Sequence, residues 1–117
     1  MASRILLVDD DPLTTSGLAR ILERRGYVVR EENDPRHALA ATREFAPQVV
    51  ILDYLMPQCH GGDVAWQIAT DPTLRSVQLI VCSAIAQAEI APRLPPIRIP
   101  ILPKPLEMNA LLQLLPA

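Results

Sequence analysis

The chain has 117 residues, of which 50% are apolar, 3% aromatic and 21% charged, with a net charge of −2. A half-apolar composition excludes intrinsic disorder, and a chain of this length needs no disulfide or metal staple to fold. The slightly acidic balance argues against a nucleic-acid binder, which needs clustered Lys and Arg, and no apolar run reaches membrane-spanning length.

One domain over residues 1–117 is the natural reading at this length. Ile5 to Val8 is too short an apolar run for a signal peptide. Cys59 and Cys82 lack CxxC spacing, so reduced thiols in a cytoplasmic protein are expected. Twelve residues are proline, and six of them (Pro92, Pro95, Pro96, Pro100, Pro103 and Pro105) fall in the last quarter.

Short apolar runs alternate with helical patterns. Ile5 to Val8 reads as a strand buried on both faces, followed at once by Asp9, Asp10 and Asp11. Asp11 suits a helix cap and Pro12 a first turn. Leu18, Ile21 and Leu22 mark one face of that helix, and Gly26 stops it. Tyr27 to Val29 is a second strand that turns charged at Arg30, as an edge strand does. Asp34-Pro35 repeats the cap-and-proline start of a helix running to about Phe45. Val49 to Leu52 is a third buried strand ending in Asp53. Pro57 and Gly61-Gly62 punctuate a loop, with a helix predicted over Asp63 to Ala69. Val77 to Cys82 and Ile97 to Leu102 are the fourth and fifth strands, and Leu106 to Leu115 is a last short helix.

Five β-α units in succession imply a parallel sheet with helices on both faces. In such a doubly wound α/β fold the active crevice lies at the carboxyl ends of the strands. Asp9 and Asp10 end the first strand, Asp53 the third, Ser83 the fourth, and Lys104 follows the fifth. Each alone has an ordinary reading, since caps and turns attract these residue types. Together they are different. Converging carboxylates repel one another unless a divalent cation or a lysine neutralises them. Hard oxygen ligands without imidazoles suit Mg²⁺.

The stretches Ile5-Leu6-Leu7-Val8-Asp9-Asp10, Val50-Ile51-Leu52-Asp53-Tyr54-Leu55-Met56-Pro57, Ser83-Ala84 and Lys104-Pro105 resemble the receiver domains of two-component response regulators over essentially the whole chain. The resemblance implies a flavodoxin-like five-stranded sheet of order 2-1-3-4-5. It implies that Asp53 accepts a phosphoryl group from a histidine kinase or a histidine phosphotransfer protein. Asp10, Asp53 and the Leu55 backbone carbonyl would hold Mg²⁺, with Asp9 acting through water. Lys104 would pair with a phosphoryl oxygen, and Ser83 would be the switch hydroxyl. Lys104-Pro105 matches a cis peptide.

Departures from the family pattern set further expectations. Ile101 stands where the family's switch aromatic lies. The segment Ala84 to Ala91 meets Pro92 after at most two turns, because proline cannot continue a helix, so the fourth helix is expected to be short or replaced by a Pro-rich loop. Pro100 requires an edge strand, with Pro103 at the ladder's end. Leu106, Met108, Leu111, Leu112, Leu114 and Leu115 exceed one helical stripe. They imply either a homodimer or partner surface built with the Pro-rich segment, or Pro92 to Pro96 folded over those leucines. Leu55 and Ile85, each two residues beyond a site residue, flank the path of a hydrolytic water and predict slow self-dephosphorylation. His60 and His37 read as surface residues, Cys82 as core, Cys59 as an active-site-loop thiol, and Trp66 as packing for the third helix.

The function expected is a phosphoacceptor signalling by protein–protein contact, with no output domain, no direct DNA binding and no membrane association. A degenerate receiver that binds partners without phosphorylation is the alternative. An aspartyl-phosphate phosphatase is disfavoured, because its second acid would stand at Leu55.

Overall fold

The computed structural model describes residues 2–57 and 59–117. Five parallel strands form one sheet in the order β2-β1-β3-β4-β5. The central strands β1 (Arg4–Val8), β3 (Val49–Asp53) and β4 (Gln78–Ser83) carry the continuous apolar runs and are buried almost throughout. Strand β2 (Val28–Glu32) is an edge, half-exposed and charged at its end.

Helix starts follow the cap chemistry. Asp11 accepts from the Leu13 amide at 3.1 Å and the Thr14 hydroxyl at 2.7 Å, and Pro12 opens α1 (Pro12–Arg24). Gly26 then closes the helix at φ +95°, a left-handed conformation that favours glycine. Asp34 caps a 3₁₀ turn, Pro35–His37, which runs into α2 (Ala38–Phe45). Glu107 caps α5 (Met108–Leu114) by accepting from the Asn109 and Ala110 amides.

Helix α3 (Gly61–Ala69) begins two residues earlier than predicted. Its two glycines are not loop punctuation but the first helical turn. A Cβ on Gly61 would lie 2.4 Å from the Asp53 carbonyl oxygen, whereas one on Gly62 would meet Tyr54 and the Arg93 carbonyl at ordinary contact distance.

Helix α4 is a single turn (Gln87–Ile90) followed by a 3₁₀ turn, Ala91–Arg93, as the proline at 92 requires. Strand β5 is Ile101–Pro103, shorter than the predicted Ile97 to Leu102. The reason is Pro100. Its carbonyl accepts from the Val81 amide, so its nitrogen faces β4 without a hydrogen to give, and the ladder starts only at the next residue. Pro103 ends the strand, three residues on, and so its nitrogen faces the outer edge.

The sheet separates two cores. One lies under α2, α3 and α4 and includes Leu6, Val50, Leu52, Val64, Ile68, Ile90 and Leu94. The other lies under α1 and α5 and includes Ile5, Leu7, Leu22, Ile51, Leu111 and Leu115, with Leu106, Met108, Leu112 and Leu114 packed partly against it. This corrects the expectation that Pro92 to Pro96 folds over the leucines of the last helix. Its surplus leucines turn onto the sheet, and none stands among the largely exposed apolar residues. Leu94 joins the opposite core, so the Pro-rich segment does not cover them. No helix among the described residues is long and apolar enough to cross a membrane.

Candidate functional site

Four strand ends build the site. Asp9 follows β1, Asp53 ends β3, and their side chains with that of Asp10 place carboxylate oxygens within 4.8 Å of one another. Asp9 and Asp53 are buried, at 8% and 9% exposure, and Asp10 is the most open of the three. Their backbone is tied down on several sides. The Asp9 amide donates to Glu32, its side chain accepts from the Asp11 amide at 3.0 Å, and its carbonyl accepts from the Asn33 side chain at 2.8 Å.

Lys104, the residue after β5, reaches across the crevice. Its Nζ lies 2.7 Å from Asp53 Oδ1 and 3.8 Å from Asp9 Oδ2. Its amide donates to the Ser83 carbonyl, so the lysine is held at a fixed place along β4. Burial works against the lysine's charge, but the hydrogen bond and charge of Asp53 outweigh it and raise the pKa above its ordinary value. Burial raises the Asp9 carboxyl above the usual carboxylate range. The lysine therefore answers only part of a concentrated negative charge.

Ser83 is buried at the end of β4, where its hydroxyl oxygen accepts from the Ile85 amide at 2.9 Å. That bond uses the oxygen and leaves the hydroxyl proton uncommitted among the described residues. The peptide bond Lys104-Pro105 is cis.

The donor set fits Mg²⁺. Three hard carboxylates clustered at a partly open crevice, with no imidazole or thiolate, suit a cation that keeps some of its waters. Cys82 lies nearby, but burial pushes its thiol up to about 11, which leaves it protonated and inert. Cys59 is half-buried in the loop, and burial raises its thiol pKa too. His60 is exposed. Its ring stacks on Tyr54 with centroids 5.8 Å apart, and its amide donates to the Asp63 carboxylate at the start of α3. His37 is exposed on the 3₁₀ turn before α2. Leu55, two residues after Asp53, is half-exposed, and Ile85 is half-buried against the first core.

Sequence reasoning missed Gly61. Its amide donates to the Tyr54 carbonyl at 2.7 Å, folding the loop back so that α3 begins against the Asp53 backbone. The adjacent glycines were visible in the chain, but the requirement for no side chain appears only in the three-dimensional contact.

The profile described as response regulator receiver domain matches residues 5–115. The chain belongs to that family. This receiver is 35% identical over 89 residues to the chemotaxis protein CheY of Thermotoga maritima, covering 74% of this chain and 72% of that protein. It is 37% identical over 79 residues to the DNA-binding response regulator MtrA of Mycolicibacterium smegmatis, covering 68% of this chain but only 35% of that longer protein. Among solved structures, the chemotaxis protein CheY4 of Vibrio cholerae superposes with a TM-score of 0.86 at 21% identity, covering 97% of this chain and 96% of that one, a likeness of fold alone. The receiver domain of the hybrid histidine kinase CckA superposes with a TM-score of 0.75 at 27% identity, covering 94% of this receiver and 93% of that chain.

Proposed function

We propose that this receiver takes a phosphoryl group onto Asp53 from a phosphohistidine of a histidine kinase or histidine phosphotransfer protein, and signals by protein–protein contact. The observation that carries the reading is the buried Asp53 carboxylate held 2.7 Å from Lys104 within the triple-aspartate crevice.

In the transfer, an Asp53 oxygen attacks phosphorus in line with the phosphorus–nitrogen bond of the donor. A P–O bond forms, the P–N bond breaks, and the electron pair returns to the imidazole. Such transfer is mostly positioning and charge stabilisation. Lys104 is close enough to follow charge from the carboxylate to a phosphoryl oxygen. Ser83 has a hydroxyl proton free to donate to another, while its own oxygen keeps the Ile85 amide. Asp10, Asp53 and the Leu55 carbonyl would hold Mg²⁺, with Asp9 reaching it through water, and the cation would supply charge neutralisation.

Ile101 occupies the switch-aromatic position as a half-buried core residue of β5, so an aromatic rotation does not couple site to surface here. The leucines of α5 are drawn onto the sheet, so self-association through α5 and the Pro-rich segment loses its main support. The exposed apolar side chains Trp66 and Ile97 supply contact area for a downstream protein instead.

The test is incubation with Mg²⁺ and acetyl phosphate beside an Asp53→Asn control. Stable incorporation in the wild type alone supports the reading. No incorporation from any donor favours a degenerate binding module, and rapid turnover favours a phosphatase.

A further inference from the structure

The late start of β5 leaves a notch at the other end of the sheet. Residues on one edge of a strand alternate, so the Leu79 main chain faces the same side as that of Val81, toward β5. Val81 gives its amide to the Pro100 carbonyl, but the Leu79 amide has no acceptor among the described residues. Nor does Pro100 have a hydrogen to return to the Leu79 carbonyl. The incoming chain gives Leu79 no main-chain partner there, and a groove of about 370 Å³ opens between Gln78, Leu79, Ile80, Arg98, Pro100 and α5. Buried strand groups of this kind ordinarily find a partner.

The shape and charge of the groove restrict that partner. Arg98 is the one charged residue of its lining, is exposed, and joins no ion pair among the described residues. Only one residue's main chain on β4 is open to pairing, because Pro100 closes the groove above it. A strand added here parallel to β4 must therefore end beneath Pro100. Because Pro100 already fills the place facing the Leu79 carbonyl, the segment's terminal carboxylate would accept from the Leu79 amide and pair with Arg98. An antiparallel strand would bring an ammonium toward the same arginine, which like charge disfavours.

We propose that this groove binds the free carboxyl terminus of an extended peptide segment from a partner protein, by strand addition to β4 at Leu79 with Arg98 as the carboxylate clamp. The groove lies at the amino ends of β4 and β5, away from the aspartate crevice, so the contact is independent of Asp53.

The experiment screens a library of N-acetylated hexapeptides, made both as free acids and as C-terminal amides, against the full receiver, with amide resonances followed by NMR. Free-acid peptides are expected to be retained over their amides and to shift the Leu79 amide resonance while leaving Asp9 to Asp11 and Asp53 in place. Arg98→Gln is expected to weaken them roughly tenfold or more, and Asp53→Asn to leave them unchanged. Equal retention of acids and amides, indifference to Arg98→Gln, selection of internal acidic residues with the end group ignored, or shifts centred on the aspartate crevice would each overturn the proposal. Unchanged far-UV circular dichroism of Arg98→Gln guards against loss of fold.

Discussion

Among the described residues Lys104 is the one cation against a buried pair of carboxylates, and its distances of 2.7 and 3.8 Å divide it unequally between Asp53 and Asp9. Lys104→Met leaves the acids uncompensated and removes the group that follows charge onto the phosphoryl oxygen. Uptake from acetyl phosphate is expected to slow roughly 10²-fold, read as the rate of incorporation by intact-protein mass spectrometry. Gly61→Ala drives a methyl group against the Asp53 backbone and is expected to destabilise the fold by about 3 kcal/mol in urea titration. Gly17→Ala, where no atom lies within 4 Å, is the control and should cost nothing. Leu55 and Ile85 stand two residues beyond Asp53 and Ser83, and both are apolar. The double substitution Leu55→Asn with Ile85→Asn is expected to speed phosphoryl decay roughly tenfold, and an unchanged or slower decay counts against a water path there. At this scale Asp9, Asp10, Asp53, Ser83 and Lys104 were legible because each follows or ends a strand that its apolar run announces. Gly61 was not, because a close approach between α3 and β3 leaves no periodic trace in the chain.

The fourth helix shows how an element's length and its location are written differently. Pro92 fixes the length, since no α-helix continues through it, and one α-helical turn is what remains before the 3₁₀ turn. Its location depends on contacts far apart in sequence. Ile90 and Leu94 insert into the core beside α3, and the Trp66 indole donates to the Arg93 carbonyl at 3.0 Å. Trp66 was expected to serve its own helix, but it spans from α3 to the end of the 3₁₀ turn. Trp66→Phe keeps an aromatic ring, though a smaller one, and removes the donor. The expected cost is about 1 kcal/mol, with faster hydrogen exchange at the Leu94 amide and no change at β1. The last helix taught the opposite lesson. Counting leucines on a helical wheel suggested excess apolar surface, whereas packing over the broad face of β1, β3 and β4 gives nearly every one of them a neighbour.

Across the whole molecule, the β-α alternation and buried strand runs carried the topology, because a parallel sheet of this kind admits few connections. Stability toward acid follows from charges the topology places at turns. The Arg36 side chain, hydrogen-bonded to Asp34, holds that carboxyl down at about 2. Asp71 is held below the ordinary 3.8 first by the Thr73 hydroxyl and also by Arg43, whose guanidinium lies 2.7 Å away. A carboxylate depressed on folding contributes stability that is full above its unfolded value and is lost as pH falls through its folded one. The stability difference between wild type and Asp71→Asn is therefore expected to be constant at neutral pH and to shrink as pH drops below 3.8, measured by urea titration at each pH.

The central claim is that Asp53 is the phosphoacceptor of a Mg²⁺-dependent receiver. Its most direct measurement is peptide-level mass spectrometry after borohydride trapping of the acyl phosphate, on protein treated with acetyl phosphate with and without chelation of Mg²⁺. A single trapped site is expected at Asp53, absent under chelation and absent in Asp53→Asn. Label on another residue, or label on Asp53 that is indifferent to Mg²⁺, would contradict it.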